Sequence, residues 1–337
     1  MVTVSGIGSW PGTDARTTLL TLREELTGEP GDGVAGMPYL PELADRGPGA
    51  DMLGRTAHLL VDLPVDLQPQ GWRLTSRPGR DAQRSASWWR EDLDELAEVF
   101  SGWTGRLKLQ VVGPWTLASE LWLPKGERVL SDAGAVRDLA ASLSAGIDDH
   151  LTRVQHLLPQ ASLVLQIDEP GLPRVLRGQV PSASGYRRLE SPDADYAAAL
   201  LRGQTTAARQ AGAAVTLIHC CADRPPLSVL REGAPGGLAV DIVSLDAATW
   251  ESVAMAVEVG TGLVAGAMAP DADPASYREA HDLLVDRWRR VGLPLAALAQ
   301  VGVTPACGLA GTSPRQALAL TRATVHLARE LAQTAAG

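Results

Sequence analysis

The feature that most constrains the fold is a regular alternation of short apolar segments with longer amphipathic ones. Eight segments rich in β-branched residues are typical of strands, at 2–8, 33–40, 107–113, 162–168, 215–221, 240–246, 262–268 and 296–304. Helical patterns separate most of them, at 14–26, 91–103, 133–158, 195–212, 274–292 and 313–332. Alternating strands and helices predict parallel βαβ units, and eight units favour an α/β fold of the (β/α)8 barrel type over a doubly wound open sheet.

The connection between the second and third predicted strands is unusually long. Residues 41–90 contain Gly, Pro and Arg clusters, and the stretch 60–75 is typical of either a hairpin or an extended excursion. Connections in βα units are normally short, so a long one indicates a lid or a wall of a binding site. Because the sequence contains no obvious linker, we expect residues 1–337 to form a single TIM barrel domain with an insertion after strand 2.

Composition and charge argue against several classes of protein. The 337 residues carry a net charge of −9 and no basic stretch, which argues against nucleic-acid binding. No apolar run approaches the ~20 residues of a membrane span, and the first residues lack the features of a signal peptide. An odd number of cysteines, three, without an export signal predicts a cytoplasmic protein whose cysteines are ligands or catalysts.

Polar residues and all three cysteines fall at the carboxyl ends of predicted strands, where a barrel of this kind places its chemistry. Strand 5 ends in His219, Cys220 and Cys221, and strand 8 runs into Cys307. The other strand ends supply Ser9, Glu42, Asp168, Glu169 and Asp246. Several strands therefore direct candidate functional groups toward one mouth of the barrel.

A metal site is one interpretation of the His-Cys-Cys sequence at 219–221. Side chains alternate along a strand, so His219 and Cys221 are expected to share a direction and Cys220 to face the helices. One imidazole, two thiolates and a carboxylate would make a tetrahedral zinc site. The alternative is that the thiols are inert and buried, as free cysteine commonly is. Cys307 and Asp246 at matching strand ends favour the metal site.

Seven short motifs occur in order along the chain. They are GIGSWPGTD (6–14), GADMLGR (49–55), QGWRLTSR (70–77), VVGPWTLA (111–118), LQIDEPGL (165–172), HCC (219–221) and TPACGLAG (304–311). Each is a weak signal by itself. Together, with these spacings, they resemble the catalytic barrel of the cobalamin-independent methionine synthase family, and the single barrel resembles its short members.

The resemblance implies roles by position for a set of metal ligands. His219, Cys221 and Cys307 match three zinc ligands of the family. Asp246 matches the fourth ligand, which is Glu in the family and one methylene longer. The resemblance therefore implies Zn²⁺ as the cofactor, with the part played by Asp246 in doubt.

The resemblance also implies a binding site for an α-amino acid. Ile7, Gly8 and Ser9 match the group that holds the carboxylate of the amino acid. Asp168 matches the anchor for its ammonium group, and Glu42 is a second anchor. These matches imply that the thiol acceptor is homocysteine.

The methyl donor is the point at which the sequence departs from the family. Members that use methyltetrahydrofolate carry a His in the loop after strand 7, and Met268 stands at or next to that position. The folate amine leaves poorly unless it is protonated, so a general acid is needed. Asp271 or Asp273 are candidate replacements, whereas a methyl-corrinoid donor requires no acid. Two residues, Trp72 and Trp122, match aromatic residues near the folate ring, or simply pack in the lid.

The resulting expectation is a zinc-dependent methyltransferase that converts homocysteine into methionine. A methyl-corrinoid, free or carried by a protein, is the favoured donor, and 5-methyltetrahydrofolate is the other. Two alternatives stay open: an alkyltransferase acting on another small thiol, and a non-catalytic barrel that binds an amino acid or metal. A porphyrin decarboxylase is disfavoured because the strand ends offer no cluster of arginines.

Overall fold

Eight parallel strands form one curved sheet in the computed structural model, which describes residues 1–27, 31–234 and 236–337. The strands are β1 (Val2–Val4), β2 (Val34–Gly36), β5 (Arg106–Val112), β6 (Ser162–Asp168), β7 (Val215–Cys220), β8 (Gly237–Asp241), β9 (Gly262–Met268) and β10 (Gly302–Pro305). Their order in the sheet is β2-β1-β10-β9-β8-β7-β6-β5, so strands that are consecutive in the chain are neighbours in space.

The sheet closes between β5 and the segment that follows β2. The N–H of Leu40 donates to the carbonyl of Lys108 at 3.0 Å, and the N–H of Lys108 donates to the carbonyl of Pro38 at 2.8 Å. On the other side, β1 pairs with both β2 and β10. This circular arrangement confirms the predicted (β/α)8 barrel and is incompatible with a doubly wound open sheet.

Helices connect the strands and cover the outside of the barrel. They are α1 (Ala15–Glu25), α2 (Met52–Leu59), α3 (Arg80–Val99), α4 (Pro114–Glu120), α5 (Ala133–Leu157), α6 (Leu172–Leu176), α7 (Ala194–Gln210), α8 (Leu227–Gly233), α9 (Ala247–Glu258), α10 (Tyr277–Arg290) and α11 (Pro314–Ala336). Ser313 caps α11 as its pattern predicts, because its Oγ accepts from the N–H of Gln316 at 3.2 Å. None of the described helices is long and apolar enough to cross a membrane.

Besides the predicted strands at 2–8 and 33–40, which end early at Val4 and Gly36, two further strand predictions were wrong in their bounds. The predicted strand 240–246 ends at Asp241, whose carboxylate accepts a hydrogen bond from the N–H of Val243 at 2.9 Å and so turns the chain. The predicted strand 296–304 begins with a 3₁₀ helix, Leu295–Gln300, and only Gly302–Pro305 join the sheet. The first error matters for function because it places Asp246 beyond the end of its strand.

The insertion at 41–90, here called the lid, is ordered and consists largely of regular elements. It contains a 3₁₀ turn, helix α2, a hairpin and the start of α3. The hairpin, β3 (Val65–Gln68) with β4 (Gly71–Leu74), decides between the two interpretations of residues 60–75. Trp122 extends this hairpin, because its N–H donates to the carbonyl of Trp72 at 2.9 Å and its carbonyl accepts from Leu74.

A buried charge cluster fastens the lid to α3. Asp92 accepts hydrogen bonds from Arg46 Nη1 at 2.7 Å and from Arg55 Nη1. The guanidinium of Arg55 also lies over the ring of Trp89, 4.7 Å from its centroid. A buried carboxylate is tolerated only when it is paired in this way, so these contacts hold the lid in one place.

We predict opposite effects from alanine at two helical glycines. In α5, a Cβ added at Gly146 would lie 2.0 Å from the carbonyl oxygen of Leu59, at the end of α2. The Gly146→Ala change must therefore push the lid outward and should lower the free energy of unfolding by about 1–3 kcal/mol. Urea denaturation measures this effect.

Gly203 in α7 is the matched control, because an added Cβ there meets nothing within 4 Å. Alanine has the higher helix propensity, so Gly203→Ala should raise the free energy of unfolding by about 0.5–1 kcal/mol. Two stabilising changes of similar size would contradict the close packing of α2 on α5.

Candidate active site

Two thiols from distant parts of the chain meet in the mouth of the barrel. The Sγ atoms of Cys221, after β7, and Cys307, after β10, lie 3.2 Å apart although 86 positions separate them. The contact between the sulfur atoms lowers the pKa of Cys307 to about 6 and raises the pKa of Cys221. One thiolate is therefore stabilised by a neighbouring thiol, which is a suitable start for binding a cation.

His219 presents an imidazole nitrogen to the same mouth. Its Nδ1 lies 2.8 Å from Oδ1 of Asp168, and because a carboxylate only accepts, Nδ1 is the donor. The lone pair of the neutral ring is then on Nε2. That nitrogen is buried and has no hydrogen-bond partner in the described part of the chain. A histidine held by a carboxylate through Nδ1 is typical of a metal ligand.

Cys220 points the other way, as strand alternation predicts. Its side chain is fully buried in the hydrophobic core that includes Ile218, whereas Leu217 lines the barrel interior with Met37 and Val164. Burial raises the pKa of Cys220 to about 12. Its thiol therefore stays protonated and takes no part in the mouth.

Asp246 lies at the start of a helix, and its part as a metal ligand stays a prediction. It caps α9, and its exposed carboxylate accepts from the N–H and the hydroxyl of Thr249 at 2.8 and 2.6 Å. Those hydrogen bonds lower the pKa of Asp246. Within residues 1–27, 31–234 and 236–337, no three His, Cys, Asp or Glu side chains form a ready-made metal cage. The candidate ligands in the mouth are the touching thiols of Cys221 and Cys307 and, apart from them, Nε2 of His219.

A chain of hydrogen bonds connects Asp168 to the end of the first strand. Nε2 of Gln166 lies 2.7 Å from Oδ1 of Asp168 and 2.8 Å from the carbonyl oxygen of Ile7. The same carbonyl accepts from Nζ of Lys108 at 2.6 Å. Lys108 is only 1% exposed, and burial lowers its pKa to about 8. These contacts fix the end of β1 relative to β5 and β6.

Ser9 joins the ends of the first and last strands. Its Oγ accepts from the N–H of Ala310 at 3.2 Å, and its carbonyl accepts from the N–H of Leu309 at 3.1 Å. A Cβ at Gly308 would lie 2.2 Å from this Oγ, so only glycine fits there. Within the described residues, the N–H groups of Ile7 and Gly8 donate to no protein acceptor. They are free to bind an anionic group.

Glu42 lies beside this segment, as predicted. Its N–H donates to the carbonyl of Gly8 at 3.0 Å, and its side chain is buried. Burial raises the pKa of Glu42 to about 7; Asp168 adds to this rise, and Arg55 and Lys108 oppose it. The structure thus brings Glu42, Asp168 and Ser9 into one neighbourhood.

Glu169 is a buried residue whose role sequence reasoning missed. Its carboxylate accepts from the N–H groups of Trp115 and Thr116 at 2.9 and 2.8 Å, and from the Thr116 hydroxyl at 2.6 Å. Burial raises its pKa to about 7, and these hydrogen bonds oppose the rise. A Cβ at Gly113 would lie 2.3 Å from this carboxylate. Two motifs, at 111–118 and 165–172, are therefore parts of one contact.

The two tryptophans proposed near the donor are packed in the lid. Both are buried, at 6% exposure for Trp72 and 9% for Trp122. The edge of the Trp72 ring lies against Gly54, and the guanidinium of Arg128 lies 4.5 Å from the Trp122 ring centroid. Their contacts are those of packing residues, and their part in donor binding stays a prediction.

The loop after β9, at 269–273, contains no histidine. Met268 is buried, and its carbonyl accepts from the N–H of Ala306 at 2.7 Å. Asp271 and Asp273 are exposed and line an open groove of about 860 Å³ that reaches Gly308. These two carboxylates are the acidic groups of that groove.

Comparison with known proteins decides the family. The family profile described as "Cobalamin-independent synthase, Catalytic domain" matches residues 1–333. The chain belongs to this family. The match confirms the resemblance stated from the seven motifs and makes the chain a member of a family of enzymes.

Solved structures similar to this family member are distant in sequence. A B12-independent methionine synthase from a Shewanella species, in complex with selenomethionine, is 12% identical with a TM-score of 0.49; the match covers 72% of this chain and 66% of that one. The carboxyl transferase domain of Rhizobium etli pyruvate carboxylase is 14% identical with a TM-score of 0.33, over 72% and 43%. No curated protein matches the chain. The family assignment therefore rests on the profile match.

We predict that Glu169→Gln destabilises the protein. The amide group cannot accept a hydrogen bond at its nitrogen, so one of the buried donors of Trp115 or Thr116 loses its acceptor. The free energy of unfolding should fall by about 1–3 kcal/mol, as measured by urea denaturation. Glu190→Gln is the control, because Glu190 is exposed and should change stability by less than about 0.5 kcal/mol. Equal stability of the two variants would show that the contact is unimportant.

Proposed function

We propose that this member of the cobalamin-independent synthase family is a zinc-dependent methyltransferase that methylates the thiol of homocysteine and forms methionine. In this proposal residues 1–337 act as a single barrel domain. The observation that carries it is the contact between Cys221 and Cys307 in the same mouth as His219. Cysteine thiolates and an imidazole are ligands that zinc prefers.

In this proposal Cys221, Cys307 and His219 would hold a zinc ion, because their side-chain chemistry suits that metal. The two thiols touch, and Nε2 of His219 is a buried nitrogen that lacks a partner among the described residues. Zinc bound there would lower the pKa of the substrate thiol, which attacks the donor methyl as a thiolate. The substrate sulfur would take the fourth position, and we propose that Asp246 stays at its helix cap. The family ligand set implies Asp246 as the fourth protein ligand instead, so its part needs a direct test.

The charges around the mouth suit an α-amino acid. The free N–H groups of Ile7 and Gly8, with Ser9, would hold the α-carboxylate of homocysteine. Asp168 and Glu42 would hold its ammonium group. Asp168 lies close enough to Glu42 to raise its pKa, so an arriving ammonium would reduce the repulsion between these two carboxylates. An arriving ammonium also favours the ionised form of Glu42.

This arrangement orients the acceptor before the methyl group arrives. An amino acid held at both its carboxylate and its ammonium would have its side chain restricted in direction. Asp168 holds the imidazole of His219 in the tautomer that presents Nε2. Such orientation reduces the entropy lost in reaching the transition state, which is the contribution to the reaction that we assign to these residues.

The donor that we propose is a methyl-corrinoid. The leaving group of methyltetrahydrofolate needs a proton, and the buried Met268 cannot supply one. Reduced cobalt leaves without protonation. The family description, cobalamin-independent, gives no support to a corrinoid, so the preference rests on Met268 alone. If 5-methyltetrahydrofolate is the donor, the exposed Asp271 or Asp273 is the candidate acid.

We predict that Cys307→Ser abolishes zinc retention. A serine hydroxyl is not a thiolate at neutral pH, so the touching pair of sulfur ligands is broken. Purified wild-type protein should hold about one zinc ion per chain, and the variant should hold almost none by elemental analysis.

Cys220→Ala is the matched control for zinc retention, because Cys220 is the neighbouring cysteine that faces the core. It should retain zinc. Asp246→Asn preserves the helix cap and should also retain zinc if Asp246 lies outside the ligand set. Full zinc occupancy in Cys307→Ser would refute the ligand assignment, and loss in Asp246→Asn would restore Asp246 to it.

A donor assay tests the reaction. Zinc-loaded protein is incubated with homocysteine and either methylcobalamin or 5-methyltetrahydrofolate, and methionine is measured. We expect methionine from methylcobalamin because no acid is required. Methionine from the folate alone would overturn the donor proposal, and methylation of a different small thiol would favour the related alkyltransferase. Zinc binding without any product would favour a non-catalytic barrel.

A further inference from the structure

We infer that Gln166 is a positioning residue that couples the carboxylate-binding end of β1 to the metal ligand His219. The inference rests on the proposed function and goes deeper into the same site. Gln166 belongs to none of the ligand or substrate groups that the family resemblance implies. It lies in β6, is buried, and its side chain lies between the ends of three strands.

One nitrogen atom makes both contacts. Nε2 of Gln166 carries two hydrogens, and it lies 2.8 Å from the carbonyl oxygen of Ile7 and 2.7 Å from Oδ1 of Asp168. Because the two N–H bonds of a planar amide diverge at a fixed angle, this nitrogen sets the separation of the two acceptors. The end of β1 and the carboxylate of Asp168 are therefore held in one geometry.

Gln166 also affects which oxygen of Asp168 is available to the substrate. Oδ1 accepts from both Gln166 and Nδ1 of His219. Within the described residues, Oδ2 has no hydrogen bond, and Asp168 is buried at 5% exposure. Gln166 thus keeps Oδ1 turned toward His219 and leaves Oδ2 for the ammonium group of the substrate. Without the amide, the carboxylate is free to rotate and to lose both alignments.

Lys108 supports the same carbonyl but cannot replace the amide. Its Nζ lies 2.6 Å from the carbonyl oxygen of Ile7, and its side chain comes from β5. It therefore steadies the end of β1 while making no hydrogen bond to Asp168 among the described contacts. Gln166 alone bonds both partners.

The test replaces Gln166 by methionine, which has similar length and no N–H donor. Zinc affinity is measured on metal-free protein by competition with a chelator, and the KM for homocysteine is measured in the donor assay. Loss of a partner of this kind weakens metal binding by about 10- to 100-fold, so we expect the zinc Kd to rise about tenfold or more. The KM should rise by a similar factor, with a smaller fall in kcat, because the ammonium anchor is misplaced.

Gln204→Met is the matched control. Gln204 is a buried glutamine in α7 whose Nε2 donates to the carbonyl of Ala140 at 2.8 Å, within the helix layer. It should lower stability while leaving zinc Kd and KM within about twofold of wild type. If Gln166→Met does not fold, Gln166→Asn carries the test, because its amide is one methylene too short to span both acceptors.

The outcomes separate this inference from the proposed function. A folded Gln166 variant whose zinc Kd and KM equal those of wild type would overturn the positioning role. Wild-type protein that binds zinc but methylates no homocysteine would overturn the proposed function, and the zinc comparison would still decide for or against Gln166. Equal losses in the Gln166 and Gln204 variants would reduce the effect to general destabilisation and so overturn the inference.

Discussion

The hydrogen bond between His219 and Asp168 is the contact on which the site depends. It is the only bond that connects the end of β7 to the carboxylate of β6 within the described side-chain contacts of the mouth. It selects the imidazole tautomer, leaves Nε2 without a proton, and holds one oxygen of Asp168 against the imidazole. The rest of the mouth is arranged around this pair: Gln166 contacts the carboxylate, and the thiols of Cys221 and Cys307 lie close enough for the negative charge of Asp168 to act on them.

Burial strengthens these few polar contacts and also makes an unpaired charge costly. The barrel interior has a low dielectric constant, so each charge there needs a partner. Two separate carboxylate sites in the structure meet this requirement. Asp168 and Glu42 share their neighbourhood with Lys108, while Glu169 accepts hydrogen bonds from donors at the start of α4. Adjacent residues of one sequence motif, Asp168 and Glu169, therefore have different surroundings: Asp168 contacts His219 in the mouth, and Glu169 contacts the start of α4.

Much of this structure was accessible from the sequence, because strand period and strand-end position are local properties. The alternation of segments predicted the barrel, and the odd-even direction of β7 placed Cys220 in the core and Cys221 in the mouth. What failed depends on side chains acting at a distance or on single turns. Asp241 ended its strand early, so the predicted strand at 240–246 stops before Asp246. The acceptor role of Glu169 depends on donors more than fifty positions away, which no local pattern reveals.

The hydrogen bonds between Ser9 and the loop after β10 have a consequence for folding during translation. The segment at 7–9, which we propose binds the amino acid, is synthesised early. The residues at 308–310 that contact it emerge some three hundred residues later. During translation Glu42 and Lys108 are therefore synthesised before β10, and β1 lacks this neighbouring strand until the end of the chain emerges. The hydrogen bonds from Ala310 and Leu309 to Ser9 form only as the last strand docks, so the proposed amino-acid site is completed at the end of folding.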